Sequence, residues 1–112
     1  MKEGDVVLTA FVQADGQTKN RPAIILRTMR PFGDFLLCGV SRQLHHRVDD
    51  FDEVIVATDP DFAESGLQDT SLIRLGFLAL LPADELLGDI GSISAARHQR
   101  LLNRLADYLA RR

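Results

Sequence analysis

Two short stretches hold residue types that can act on an anion. Residues 18–26 read TKNRPAIIL: three polar residues, the pair Arg21-Pro22, and then an apolar run. Proline fixes its own φ and drives the preceding residue to extended geometry, so Arg21 is expected in a restricted conformation at a strand entrance. Ser41-Arg42-Gln43 follows a second apolar run, FLLCGV, and a turn signal with Pro31 and Gly33 separates the two. Antiparallel pairing across that turn, with arms of similar length, brings Arg21 and Ser41 out at the same end. A guanidinium fork, a hydroxyl, an amide and a second guanidinium facing one small volume suit a phosphate.

Other chemistry is poorly served. The phosphate-binding G-x-x-x-x-G-K, the dinucleotide G-x-G-x-x-G, the zinc H-E-x-x-H and the nucleophile G-x-S-x-G are missing. His45 and His46 are adjacent, and neighbours on an extended chain point to opposite sides, so no metal site is expected there. His98 is read as a packing residue. Cys38, the single cysteine, rules out a disulfide within one chain and lies in an apolar run where a small buried hydrophobe is the ordinary role.

The 112 residues, 46% of them apolar, suffice for one hydrophobic core, so a single domain over 1–112 is predicted. No apolar run approaches the roughly 20 residues that span a bilayer. The start MKEGDVVL lacks the pattern of a secretory signal, and a cytoplasmic location is expected. The net charge of −3 hides a segregation. Charges over 19–47 are basic except Asp34, whereas every charge over 48–73 is acidic. The local sign decides what a surface attracts, so the first half can face an anion while the acidic stretch favours solubility.

Strands are predicted over 5–11, 23–27, 34–41, 53–58 and 71–81, with an Asp15-Gly16 turn between the first two. Short strands joined by turns imply a mainly β fold with α, a small barrel or strongly bent sheet. Consecutive apolar residues in VVL, AIIL and FLLCGV imply that both sheet faces are covered, by a helix or a second subunit, and a homodimer is expected. A C-terminal helix follows, with Ser94 as N-cap. Leu101, Leu102, Leu105, Tyr108 and Leu109 should face the sheet, and Arg97, Arg100, Arg104, Asp107 and Arg111 water.

Taken together, GDVVLTAF, DGQTKNRPAIIL, LLCGVSRQ, SLIRLGFLALLP and IGSIS before the last helix resemble the PemK/MazF family of toxin endoribonucleases, in order and over essentially the whole chain. The resemblance implies a small SH3-like β-barrel with a C-terminal α-helix packed on it, usually dimeric. By position, Arg21 matches the arginine of the family's R-P-A motif and is implied to be catalytic. Ser41 stands where the family commonly has a threonine, the second catalytic residue, and Gln43 matches its glutamine. Serine keeps the hydroxyl but loses the methyl that restricts the rotamer, and Arg42 stands where a small polar residue is common.

The implied reaction is metal-independent cleavage of single-stranded RNA, with the ribose 2′-OH attacking the adjacent phosphate to leave a cyclic phosphate. No cofactor is needed. Thr18, Lys19, Asn20, Arg42, Gln43 and His45 are expected to contact RNA. Proton transfer is harder to assign, because arginine is a poor base, and His45 or His46 is a candidate to assist. The resemblance also implies a cognate antitoxin, and an acidic disordered tail that folds on binding suits a basic groove. Two alternatives remain from other classes: a gyrase-inhibiting, CcdB-like toxin acting on a protein, and an inactive relative that still binds its antitoxin.

Overall fold

The computed structural model describes residues 1–12 and 14–111, and for Phe11 and Val12 the backbone. Gln13, inside the loop expected between the first two strands, lies outside the described residues. The chain runs β1 (Asp5–Val12), β2 (Thr18–Met29), β3 (Asp34–Ser41), β4 (Glu53–Ile55), α1 (Phe62–Ser65), β5 (Ser71–Leu81), β6 (Leu86–Ser92) and α2 (Ala95–Ala110). Single 3-10 turns occupy Leu44–His46 and Ala83–Glu85. The strands form one six-stranded antiparallel sheet in the order β4-β5-β3-β2-β1-β6. The fold is mainly β with a C-terminal helix, as the sequence implies.

The sheet curls without closing, leaving β4 and β6 as its edges. α1 fills the gap: Gly66, its left-handed C-cap at φ 74°, lies against Ile90, and Gly91 of β6 lies against Glu64 and Ser65. A side chain at either glycine would collide with backbone, so these two positions allow the helix to sit on the edge strand.

Each face of the sheet carries a buried cluster within the one chain. Val6, Ile24, Leu26, Cys38, Val40, Ile55, Ile73 and Leu75 form one cluster with Leu101 and Leu105 of α2. The alternate residues Val7, Ala23, Ile25 and Leu37 join Phe35 and Leu86 in a second cluster. That explains the unbroken apolar runs. A register shift between Ile25 and Arg27 marks where β2 departs from regular pairing with β3.

Four expectations need correcting. β2 starts at Thr18, so Thr18–Arg21 is strand paired with β1 (Thr9 opposite Arg21) and not a loop leading to one. β4 ends at Ile55, and β6 was not foreseen. Its sequence, LLGDIGS, carries two glycines and its pairing with β1 shifts register twice, so the alternation that signals a strand is lost.

The fourth correction concerns α2. Ser94 caps it, accepting from the Arg97 amide at 3.1 Å, and Leu101 and Leu105 are buried, as expected. Tyr108 and Leu109 are instead exposed, the tyrosine ring 4.8 Å from that of Phe51. Arg97 is not in water: it is 5% exposed and bonds Asp61 (Nε, 2.9 Å), Glu53 (Nη1, 2.8 Å) and Asp59 (Nη2, 3.1 Å). Arg100 and Arg104 also reach Glu53. Part of the acidic stretch is thus the counter-charge of the helix. Among the described residues, no helix is long and apolar enough to cross a membrane.

Candidate functional site

The β2–β3 ladder ends at Ala23 opposite Gly39. Next to Ala23 is Pro22, which has no N–H to offer a neighbouring strand. Beyond this point the next residues are Pro22 and Arg21 on β2 and Val40 and Ser41 on β3, and all four line the same two cavities. Arg21 and Ser41 therefore leave the hairpin together, which is the juxtaposition the sequence predicts. Arg21 is exposed and Ser41 half-buried.

Both residues line two neighbouring cavities. The first, about 400 Å³, is bounded by Asn20, Arg21, Ser41 and Arg42 on one side and by Leu67, Gln68, Asp69 and Ser71 on the other. The second, about 630 Å³, adds Gly39, Gln43, His46, Arg74 and Phe77 to Arg21 and Ser41. Among the described residues, three arginines and a single carboxylate, Asp69, line the pair, a strongly anion-favouring set.

The Ser41 hydroxyl is held. Its Oγ accepts the Gln43 amide N–H at 3.0 Å, and this turn does for serine what a β-methyl does for threonine. The O–H remains able to donate to a ligand. Across the first cavity Arg42 pairs with Asp69, Nη1 to Oδ2 at 3.1 Å.

The far wall of that cavity hangs from the buried ion network. Asp61 accepts from Arg97 and from the Ser94 amide, and α1 and Gly66 lead from it to Leu67, Gln68 and Asp69. Burial acts to raise the Asp61 pKa, but the Arg97 guanidinium and the Ser94 amide outweigh it and hold the carboxyl below its usual range. Arg97 is raised in turn, because Asp61, Glu53 and Asp59 overcome the effect of its burial. Burial pushes the Cys38 thiol up to about 12, which suits an inert core residue.

Of the expected RNA contacts, Asn20 and Arg42 line the first cavity and Gln43 the second, whereas Thr18, Lys19 and His45 line neither. His45 sits in the 3-10 turn with its ring 4.3 Å from that of His46, and it is His46 that lines a cavity. His98 bonds the Leu26 carbonyl through Nε2 at 2.8 Å, a packing role. No group of three or more His, Cys, Asp or Glu suited to a metal ion occurs among the described residues. Gln68, Asp69, Arg74 and Phe77 escaped the sequence reading. They lie some thirty residues from Ser41 and arrive only through the β3–β5 pairing, in which Ser41 opposes Leu72.

A family model described as the PemK-like, MazF-like toxin of type II toxin-antitoxin systems matches residues 2–109. The chain belongs to this family. Solved structures share its fold at low identity. The Mycobacterium tuberculosis toxin MazF-mt6 superposes with a TM-score of 0.66 at 16% identity, covering 94% of this chain and 95% of that one. An endoribonuclease in complex with its cognate antitoxin, from a mycobacterial species, gives 0.67 at 17% identity, covering 97% and 94%. No curated protein matches the chain by sequence.

Proposed function

We propose that this protein is the toxin of a toxin-antitoxin pair and a metal-independent, sequence-selective endoribonuclease of single-stranded RNA. The observation that carries the reading is the emergence of Arg21 and Ser41 side by side beyond the β2–β3 ladder, on the shared edge of two arginine-rich cavities. Arg21 donates two parallel hydrogen bonds to the scissile phosphate and Ser41 one more, stabilising charge that grows as the 2′-oxygen adds to phosphorus. The P–O5′ bond then breaks and a 2′,3′-cyclic phosphate remains. The proton leaving the 2′-OH and the one reaching O5′ need a base and an acid; that His46 lines the second cavity supports it, over His45, as the histidine for this role.

Family membership supports a cognate antitoxin, and the solved neighbour described as an endoribonuclease bound to its antitoxin adds to that support. An acidic tail occupying the Arg21, Arg42 and Arg74 cavities would block RNA. A homodimer is supported by the exposed Phe32, Leu78 and Leu80, which a second copy would cover. Action on messenger RNA implies a cytoplasmic protein that slows growth.

The test incubates the dialysed protein with long single-stranded RNA in excess EDTA, beside Arg21→Ala. Cleavage at few sites, with cyclic phosphate ends, lost in the variant, is the expected result. Equal behaviour of two folded, antitoxin-free proteins would refute the reading. Toxicity that survives Arg21→Ala would point to a protein target instead.

A further inference from the structure

We propose that Asp69 is the general base and His46 the general acid of cleavage, acting from opposite sides of the phosphate held by Arg21 and Ser41. The proposal rests on the ribonuclease reading. Arg21 and Ser41 border both cavities, whereas Asp69 borders the first and His46 the second. In a displacement at phosphorus the attacking and leaving oxygens stand roughly in line, on opposite sides of the atom. A phosphate seated on the shared Arg21–Ser41 edge turns one of these oxygens toward each cavity, where it meets a carboxylate on one side and an imidazole on the other.

Short bonds tie both groups to Ser41. On the first side Arg42, its neighbour in the chain, donates from Nη1 to Oδ2 of Asp69 at 3.1 Å. The Ser71 hydroxyl donates to the Asp69 carbonyl at 2.8 Å, and β5 brings this segment to the site by pairing Leu72 with Ser41. With Oδ2 engaged by Arg42, Oδ1 is the atom for a substrate hydroxyl. On the second side the Gln43 amide donates to Ser41 Oγ at 3.0 Å. The His46 amide donates to the Gln43 carbonyl, also at 3.0 Å, which closes the 3-10 turn that carries the imidazole.

The chemistry of the two groups assigns their roles. An ionised carboxylate only accepts hydrogen bonds, which suits the 2′-OH and not a leaving oxygen that needs a proton. Asp69 therefore takes the 2′ proton as O2′ bonds to phosphorus. Histidine is the side chain that holds both protonation states near neutral pH. The His46 imidazolium gives its proton to O5′ as the P–O5′ bond breaks, so the products are a 2′,3′-cyclic phosphate and a neutral 5′-hydroxyl. Proton exchange with water then restores both side chains. The nucleoside that supplies the 2′-OH faces the first cavity, and the leaving nucleoside faces the second.

The experiment uses full-length protein in EDTA and a short RNA with one preferred cleavage site, made with either the natural 5′-oxygen or a bridging 5′-sulfur at the scissile phosphate. A thiolate leaves without being protonated, so the sulfur substrate needs a base and no acid. Asp69→Asn should slow both substrates by about a hundred- to ten-thousandfold, in kcat rather than KM. His46→Gln should slow the oxygen substrate on the same scale and cut the sulfur substrate at close to the parent rate. Both residues are exposed, so neither change disturbs the core. If both variants cut the oxygen substrate as the parent does while Arg21→Ala does not, the assignment is overturned and the ribonuclease reading stands. Rescue of Asp69→Asn by sulfur, or failure to rescue His46→Gln, would overturn the assignment as well. If Arg21→Ala cuts as well as the parent, the ribonuclease reading falls and the acid–base pair with it.

Discussion

Arg97 and Asp61 are joined by two parallel hydrogen bonds, Nε to Oδ2 at 2.9 Å and Nη2 to Oδ1 at 3.2 Å, that fasten α2 to the segment walling the first cavity. The same guanidinium holds Glu53 at the start of β4 and Asp59 in the turn before α1. A single buried side chain thus couples the helix, an edge strand and the site wall.

Removing it should be costly. Arg97→Met leaves Asp61 and Glu53 as buried carboxylates without this partner, and stability should fall by about 3–5 kcal/mol, read from urea unfolding. Replacing both partners with apolar residues, Arg97→Met with Asp61→Leu, should lose less than the single change. A single variant as stable as the parent would contradict the coupling.

Acid should act through the same pair. The folded pKa of Asp61 lies below its unfolded value, so its contribution is complete above the ordinary carboxylate range near about 4. It is lost as pH falls through the folded value. Thermal melts should therefore drop steeply below about pH 4, and less steeply for Asp61→Asn, which has already forfeited that contribution. Parallel acid limbs for the two proteins would argue against it.

At the site, Ser41→Thr should keep activity and Ser41→Ala should reduce kcat by about a hundredfold, the scale for loss of one donor to a developing oxyanion. The Gln43 amide that fixes Oγ is backbone and survives both changes. Arg21→Lys, with a charge but no fork, should resemble Arg21→Ala more than the parent. Initial rates on a fluorogenic RNA would decide both.

Cys38 should resist alkylation. It is fully buried with its thiol pushed up to about 12, so iodoacetamide at pH 8 should label it only after denaturation, as read by mass spectrometry. Rapid labelling of the native protein would contradict its place in the core.

The core of the helix is a further check. Leu101 is fully buried in the cluster that α2 shares with the sheet, and Leu101→Ala should cost about 2–5 kcal/mol. Leu109→Ala, at an exposed position misjudged from its helical spacing, should change stability by less than about 0.5 kcal/mol.

What the sequence determined was local. Turn chemistry at Asp15-Gly16 and Pro31-Gly33, β-branched runs and a capped leucine repeat placed the first three strands, β5 and α2. Equal arms about one turn were enough to put Arg21 beside Ser41, because hairpin register is set by the chain between the strands. What only the tertiary structure decided depends on contacts between distant segments. β6 has no periodicity of its own and exists because β1 offers it an edge. The fate of Arg97 could not be read from a helical wheel, since a polar face is solvated only if nothing charged packs on it, and here the acidic stretch does. Gln68, Asp69, Arg74 and Phe77 reach the site through β3–β5 pairing and a bulge, and neither leaves a short-range signature. The meeting of Arg21 and Ser41 was legible because both lie within one hairpin, and the cavity walls were not because long-range pairing builds them.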